Sequence, residues 1–335
     1  MHQRHPSVRM DVLCALFGKT KQAFYQRTRK SDNSNAKRYR ILQNVREIRS
    51  KLPGCGVRKI HEMLRKHYTG YHIGRDRLFE ILREEGMLVR RRKGKKRTTF
   101  SNHNYRVYPN AIVDVVPTRP NEIWVSDITY IQDLKKDYYL FLITDAYSHK
   151  IVGWDIADNM RVGNAIAALK MALKQRKDDK HLIHHSDRGT QYASYRYINA
   201  LKRNSIMPSM TEHGDPRENA VAERINGIIK HEFIKYIELD ERSIKRQIGQ
   251  IIENYNNYRM HYSIGLMTPQ EAHLKCGFLK KLWKKYPYPG ANKKNIDTLV
   301  PDKKDCGEVY TVEKKIVGAS NPNYLRTKRL GSDCP

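Results

Sequence analysis

The strongest constraint on how this chain can fold is a change of period at Asn121. Upstream, apolar residues recur at helical spacing; downstream, short β-rich runs take over and then alternate with helical ones. Residues 123–131, 138–144 and 151–156 are dense in Ile, Val, Tyr, Trp and Phe and read as three strands. Short links join them, so they are expected to pair as an antiparallel meander. An amphipathic helix over about 162–176 follows, then a short strand at 181–185, a helix over about 194–203 and a strand at 206–210. Two long helices, about 219–237 and 243–261, finish the run. Such an order closes best as a mixed α/β sheet flanked by helices, because parallel neighbours need a crossover long enough to hold one.

Three acidic residues stand out against this pattern. Asp127 lies within the first strand, in Trp124-Val-Ser-Asp127-Ile-Thr129-Tyr130. A charge inside a β-rich apolar run must face solvent, a partner or a metal. Asp187 follows the fourth strand in His185-Ser-Asp187-Arg188-Gly189-Thr-Gln191-Tyr192, where the glycine lets the backbone turn away; the plainer reading is an Asx-type turn. Glu223, separated from Asp187 by 35 residues, belongs to the helical segment Glu218-Asn219-Ala220-Val-Ala222-Glu223. Carboxylates converging from two strands and a helix can hold a pair of divalent metals about 3.5–4 Å apart for in-line phosphoryl transfer. Asp145 and Asp155 compete for the role of Asp127. Neither sits in a segment like Trp-x-x-Asp-x-Thr-Tyr, and Asp145 is expected to cap the hairpin turn toward Ser148. Asn226, Gly227 and Lys230 share the face of Glu223, and Lys230 is placed to reach a phosphate unless it only decorates the surface. His184 and His185 lack the cysteines or second spaced pair of a zinc site; His185 is expected to orient Asp187 or contact DNA. Strand-strand-strand-helix-strand-helix-strand-helix is the ribonuclease-H-like order.

Charge names the substrate's sign. The chain carries a net +29, and residues 1–100 hold 27 Lys and Arg against 8 Asp and Glu, so the basic field is densest at the N-terminal end. A field of that size favours a polyanion, DNA or RNA, although a solubilising surface would give the same total. No run approaches the roughly 18 apolar residues of a membrane span. The polar start Met1-His-Gln-Arg-His-Pro is expected to carry no signal peptide. Five scattered cysteines without a Cys-x-x-Cys pair indicate reduced thiols in a cytoplasm, and the expected location is cytoplasmic and nucleoid-associated.

Residues 6–29 read as two short helices about Gly18, with Thr20 capping the second, a pattern compatible with a helix-turn-helix. Residues 31–38 are polar and read as a linker. Helices are then expected over 39–50, 56–67 and about 73–86, with Arg75 and Arg77 on the recognition helix of a second DNA-binding module. The alternative is that these arginines are solvated charges. Residues 90–97, which include Arg90, Arg91 and Arg92, form a like-charged block expected to lie over phosphates as an arm. The expected division is therefore 1–35, 36–100, a catalytic core over 110–280, and a polar extension over 286–335 with no periodicity.

At these residues the chain resembles the catalytic subunits of bacterial transposases of the insertion-sequence-three group, whose core is shared with retroviral integrases. The matching stretches are Trp124-x-x-Asp127-x-Thr129-Tyr130, His185-Ser186-Asp187-Arg188-Gly189-x-Gln191-Tyr192 and Asn219-Ala220-x-Ala222-Glu223-x6-Lys230-x-Glu232. Met267-Thr268-Pro269-x-Glu271 is similar to the segment that closes the family's catalytic region. Glu218 stands where the family usually has Asp. The resemblance implies an integrase-like core preceded by all-α helix-turn-helix modules, with Asp127, Asp187 and Glu223 as catalytic residues and ligands of two Mg²⁺ or Mn²⁺ ions. It implies cleavage at element ends by water, then attack of the freed 3′-OH on another phosphodiester. Lys230, His185, Arg188, Arg75, Arg77 and Arg90–Arg92 are the expected DNA contacts. The expected partners are the element's terminal inverted repeats, target DNA, further copies of this chain and an upstream-frame helix-turn-helix protein. A nuclease of the same fold that cuts without joining, and a DNA-binding regulator derived from a transposase, are the alternatives.

Overall fold

The computed structural model describes residues 9–68, 70–89, 105–113, 115–132, 136–177, 180–212 and 216–282. The expected arm at 90–97 and the extension at 286–335 lie outside these. Among the described residues five strands form one sheet: β1 (Ile123–Gln132), β2 (Asp137–Asp145), β3 (Ile151–Ala157), β4 (Leu182–Ser186) and β5 (Ile206–Met210), in the order β3-β2-β1-β4-β5. β1, β2 and β3 are the antiparallel meander, with a register shift at Ile143/Thr144, while β4 and β5 run parallel to β1. Almost all of β2 from Tyr138 onward is buried, as expected of a strand covered on both faces. Asp145 does what its position before Ser148 suggests. Its Oδ1 accepts from the Ser148 backbone N–H (2.7 Å) and hydroxyl (2.6 Å), and its Oδ2 from the Asn121 N–H (2.7 Å). Asp155 pairs with Lys245 at 3.0 Å.

The α-helices among the described residues are α1 (Met10–Leu16), α2 (Lys21–Lys51), α3 (Val57–His67), α4 (Arg75–Glu84), α5 (Val162–Gln175), α6 (Thr190–Ala193), α7 (Tyr195–Arg203), α8 (Ala220–Ile228), α9 (Ile244–Tyr258) and α10 (Pro269–Ala272). On one face of the sheet α5 and α7 pack over Trp124, Phe141, Ile143 and Val152. On the other, α8 and α9 cover Ile131, Leu140, Leu142 and Ile156. The same apolar cluster continues into α2, α3 and α4 through Val45, Ile60, Leu64, Leu78 and Leu82, so the N-terminal helices share a core with α8 and α9.

Two expectations are corrected here. The segment 31–38 is not a linker but the middle of α2, which runs unbroken across the expected 35/36 boundary. It holds no glycine or proline, and Thr20 caps its start by accepting from the Ala23 N–H at 3.1 Å. Because its first half is exposed all round, no apolar stripe marks it as helical in the sequence. The helix expected over 219–237 is also not uniform. A 3₁₀ turn (Pro216–Asn219) precedes α8, and a π-helical turn (Ile229–Phe233) and a second 3₁₀ turn (Ile234–Tyr236) follow it.

Gly153 of β3 lies at a close approach between the sheet and α5. A Cβ placed there would overlap the Ala168 carbonyl oxygen and stand 2.8 Å from the Ala172 Cβ, both on α5. Gly153→Ala is therefore expected to destabilise the protein by about 1–3 kcal/mol through overpacking. A lowered urea midpoint with unchanged slope checks this.

Candidate active site

The parallel pairing of β1 with β4 places two carboxylates side by side. Val125 lies opposite His185 and Ser126 opposite Ser186, so Asp127 and Asp187 are the next residues on adjacent strands at one end of the sheet. β4 stops at Ser186, and Asp187 opens the turn, its Oδ1 accepting from the Gly189 N–H at 3.0 Å. A Cβ on residue 189 would stand 3.0 Å from that same oxygen, which is why glycine suits the position. Asp127 remains in β1. Its Oδ1 accepts from the Ile128 N–H and its Oδ2 from the Asn226 amide, each at 2.8 Å.

α8 supplies the third carboxylate. Asn219, just before it, and Glu223 and Asn226 within it fall at i−4, i and i+3 about Glu223, one helical face. The Asn219 amide donates to the Ser126 carbonyl at 3.0 Å and Asn226 donates to Asp127, so this face is fastened to β1 at the strand positions next to the carboxylates. The sequence marked Asn226 only as a neighbour of Glu223; the i−4/i+3 spacing of two asparagines about a glutamate was the available signal. Burial, then the charges of Asp187 and Glu223, push the Asp127 carboxyl up to about 7 against the lowering effect of Asn226 and Ile128. The site is thus an excess of negative charge held in a partly buried place. Among the described residues no three acidic, His or Cys side chains come close enough to hold a metal together. Neighbouring carboxylates at low dielectric repel one another.

Beneath the site is a polar core. His184 Nε2 meets the Ser126 hydroxyl at 2.7 Å and the Tyr197 hydroxyl at 2.9 Å. His185 corrects an expectation: rather than facing DNA it is fully buried in β4, with Nδ1 2.9 Å from the Ser209 hydroxyl. Burial lowers His184 to about 3 and His185 to about 4, so both rings are neutral near pH 7. Both faces of β4 are covered, so His184 and His185, which point to opposite sides, are each buried.

The expected DNA-contacting cations are distributed more widely. Arg188, half-buried, donates through Nε to the Thr211 carbonyl at 2.6 Å. Lys230 sits on the π-helical turn after α8. Arg75 and Arg77 are exposed in the first turn of α4, pairing at 2.8 Å with Asp76 and Glu80. Arg90, Arg91 and Arg92 lie outside the described residues. A cleft of about 1660 Å³ is not over the carboxylates: it opens between α3 and the start of α8, where Arg58, Lys59, Arg75 and Arg224 line it. An arginine that the sequence did not single out is Arg259. Only 1% of its side chain is exposed, and it binds both carboxylate oxygens of Glu232, at 2.8 and 2.9 Å.

Comparison with known proteins agrees with this architecture. Two models described as integrase core domain match residues 117–216 and 204–269. A 31 kDa protein of insertion element IS600 from Shigella sonnei is 31% identical over 265 residues, covering 77% of this chain and 96% of that protein. The transposase of insertion sequence element IS629, also from Shigella sonnei, is 31% identical over 218 residues, 65% of this chain and 73% of that one. Transposase InsF of insertion sequence IS3A from Escherichia coli K12 is 31% identical over 205 residues, 60% of this chain and 71% of its own. With a five-stranded ribonuclease-H-like sheet and relatives matched along most of their length, the chain belongs to the insertion-sequence-three type of transposase, built on an integrase core domain.

Proposed function

We propose that Asp127, Asp187 and Glu223 are the catalytic carboxylates with which this transposase cuts the phosphodiester at an element end and joins the freed 3′-OH to target DNA. The observation that carries the reading is the Asp127 carboxyl, pushed up to about 7 by burial and by two neighbouring carboxylates. The donor set suits hard divalent cations such as Mg²⁺ or Mn²⁺, and the buried Oδ1 of Asn226 has no partner among the described residues. When bound by the three carboxylates, two such ions supply Lewis acidity toward the phosphate and the attacking oxygen. The Ile128 N–H and the Asn226 amide hold Asp127 in one orientation, and the Gly189 N–H does the same for Asp187. Arg188 and Lys230 meet phosphates beside the scissile bond. Arg75 and Arg77 on α4, with the arm at 90–97, engage the terminal inverted repeat, and further copies of the chain complete the complex on DNA.

The test is joining of a labelled element end to target DNA, which also separates a transposase from a nuclease that only cuts. Asp127→Asn, Asp187→Asn and Glu223→Gln are each expected to abolish cleavage and joining with Mg²⁺ while leaving end binding within about threefold, since binding rests mainly on the basic residues. Wild-type joining by any one variant removes that residue from the set.

Thermal stability reads the site without activity. A carboxyl near 7 in the folded chain and near its ordinary value of about 4 in the unfolded one binds more protons when folded between those values. Stability of the metal-free protein therefore falls as pH rises from about 4 through 7. The wild type should lose more Tm than Asp127→Asn between pH 5 and 8, and Mg²⁺ at pH 8 should restore it in the wild type alone. Parallel curves for the two proteins would contradict the assignment.

Arg75→Ala and Arg77→Ala should weaken binding of the element end. Removing one phosphate-binding charge should also flatten the dependence of log K on log salt by about one unit. An unchanged slope in both variants marks these arginines as solvated charges.

A further inference from the structure

We infer that Gly54, Lys59 and Glu232 position Lys230, so that the segment joining α2 to α3 sets the conformation of the turn on which Lys230 stands. α8 ends at Ile228 and the chain continues as the π-helical turn Ile229–Phe233, which carries both Lys230 and Glu232. Turns of this kind are rare, and are kept where neighbouring structure holds them, frequently at functional sites.

Here the neighbours come from two directions. On one side the Gly54 N–H donates to the Glu232 carbonyl at 2.8 Å. A Cβ on residue 54 would lie 2.6 Å from the Glu232 Cα, 2.7 Å from its carbonyl oxygen and 2.8 Å from the Tyr236 ring. Gly54 is not among the residues with positive φ, so it is the close approach, and not an unusual backbone angle, that requires glycine. On the other side the Glu232 carboxylate is gripped by buried Arg259 at the end of α9, and Lys59 of α3 stands 3.6 Å from its Oε1. Arg259 is itself held against His261 at 2.9 Å. The turn is therefore pinned through its backbone by the α2–α3 connection and through its carboxylate by α3 and α9. Lys230 is two residues before the pinned position and seven after Glu223. A shift of α3 on engaging DNA would be felt at Lys230 through an approach too close to absorb it.

The inference rests on Lys230 meeting a phosphate, as proposed above, and the test uses the full chain with an element-end duplex and Mg²⁺. Gly54→Ala, Lys59→Gln, Lys59→Arg and Lys230→Ala are compared with the doubles Gly54→Ala/Lys230→Ala and Lys59→Gln/Lys230→Ala. Gly54→Ala is expected to slow joining about tenfold and Lys59→Gln about threefold (roughly 1.4 and 0.7 kcal/mol), with Lys59→Arg near wild type. Both defective singles should flatten the salt dependence of end binding toward that of Lys230→Ala, a change that loss of fold stability alone would not produce. Each double should be no slower than Lys230→Ala alone. Additive losses in the doubles, or wild-type joining by both singles, overturn the inference. A silent Lys230→Ala, with joining and salt slope unchanged, overturns the phosphate reading of Lys230 and this inference with it. Should Gly54→Ala not accumulate as folded protein, Lys59→Gln and its double decide alone.

Discussion

The side-chain amide of Asn226 donates to Asp127, and that of Asn219, two turns earlier, donates to the Ser126 carbonyl; this pair of bonds fixes α8 against β1. Much else depends on it. Glu223 lies between the two asparagines on the same helical face, so fastening them holds its stretch of α8 against the strand that carries Asp127. The cost of gathering negative charge in a partly buried place is visible at Asp127, whose carboxyl is driven up to about 7. Neutral amides suit this work: they satisfy a carbonyl and a carboxylate without adding a charge of their own.

A second constraint is the shared apolar core. Val45, Ile60 and Leu82 of the N-terminal helices belong to the same cluster as Ile225, Ile248 and Tyr255 of α8 and α9. Close-packed interiors transmit displacement instead of absorbing it. The approach of Gly54 to Glu232, together with the buried Arg259–Glu232 pair, concentrates that coupling at one turn of backbone. Breaking one partner of a buried ion pair leaves an uncompensated charge, so such a pair is kept whole or lost together. The N-terminal helices and the helix that carries Glu223 thus share packed side chains, although the carboxylates and the exposed arginines of α4 lie on different elements.

Much of this was legible in the sequence. The β-rich runs marked all five strands of the described residues, since β-branched and aromatic residues are concentrated where a half- or fully buried pleated surface must be filled. Asp127, Asp187 and Glu223 were visible because a charge in an apolar strand, a carboxylate before a glycine turn and a motif helix each break the local pattern. The continuity of α2 was not legible: its first half buries nothing, so helix and linker look alike when read by hydrophobic period. The burial of His185 was not legible either, because two adjacent histidines in a short strand look like a polar edge until helices are seen to cover both faces of the sheet.

What the sequence determined alone was the run of strands in the core, the basic field and the presence of three acidic residues that break the local pattern, all of which follow from local pattern and composition. What only the tertiary structure decided was which groups touch. The parallel registry of Ser126 with Ser186 set the two aspartates abreast. The two asparagine bonds fastened the helix of Glu223 to the strand of Asp127. The approach of Gly54 to a π-helical turn lying 178 residues further along the chain joined the N-terminal helices to the helix of Glu223. Contacts between residues so far apart carry no local signature, because each partner is chosen by the shape and charge of the other and not by its own neighbours in sequence.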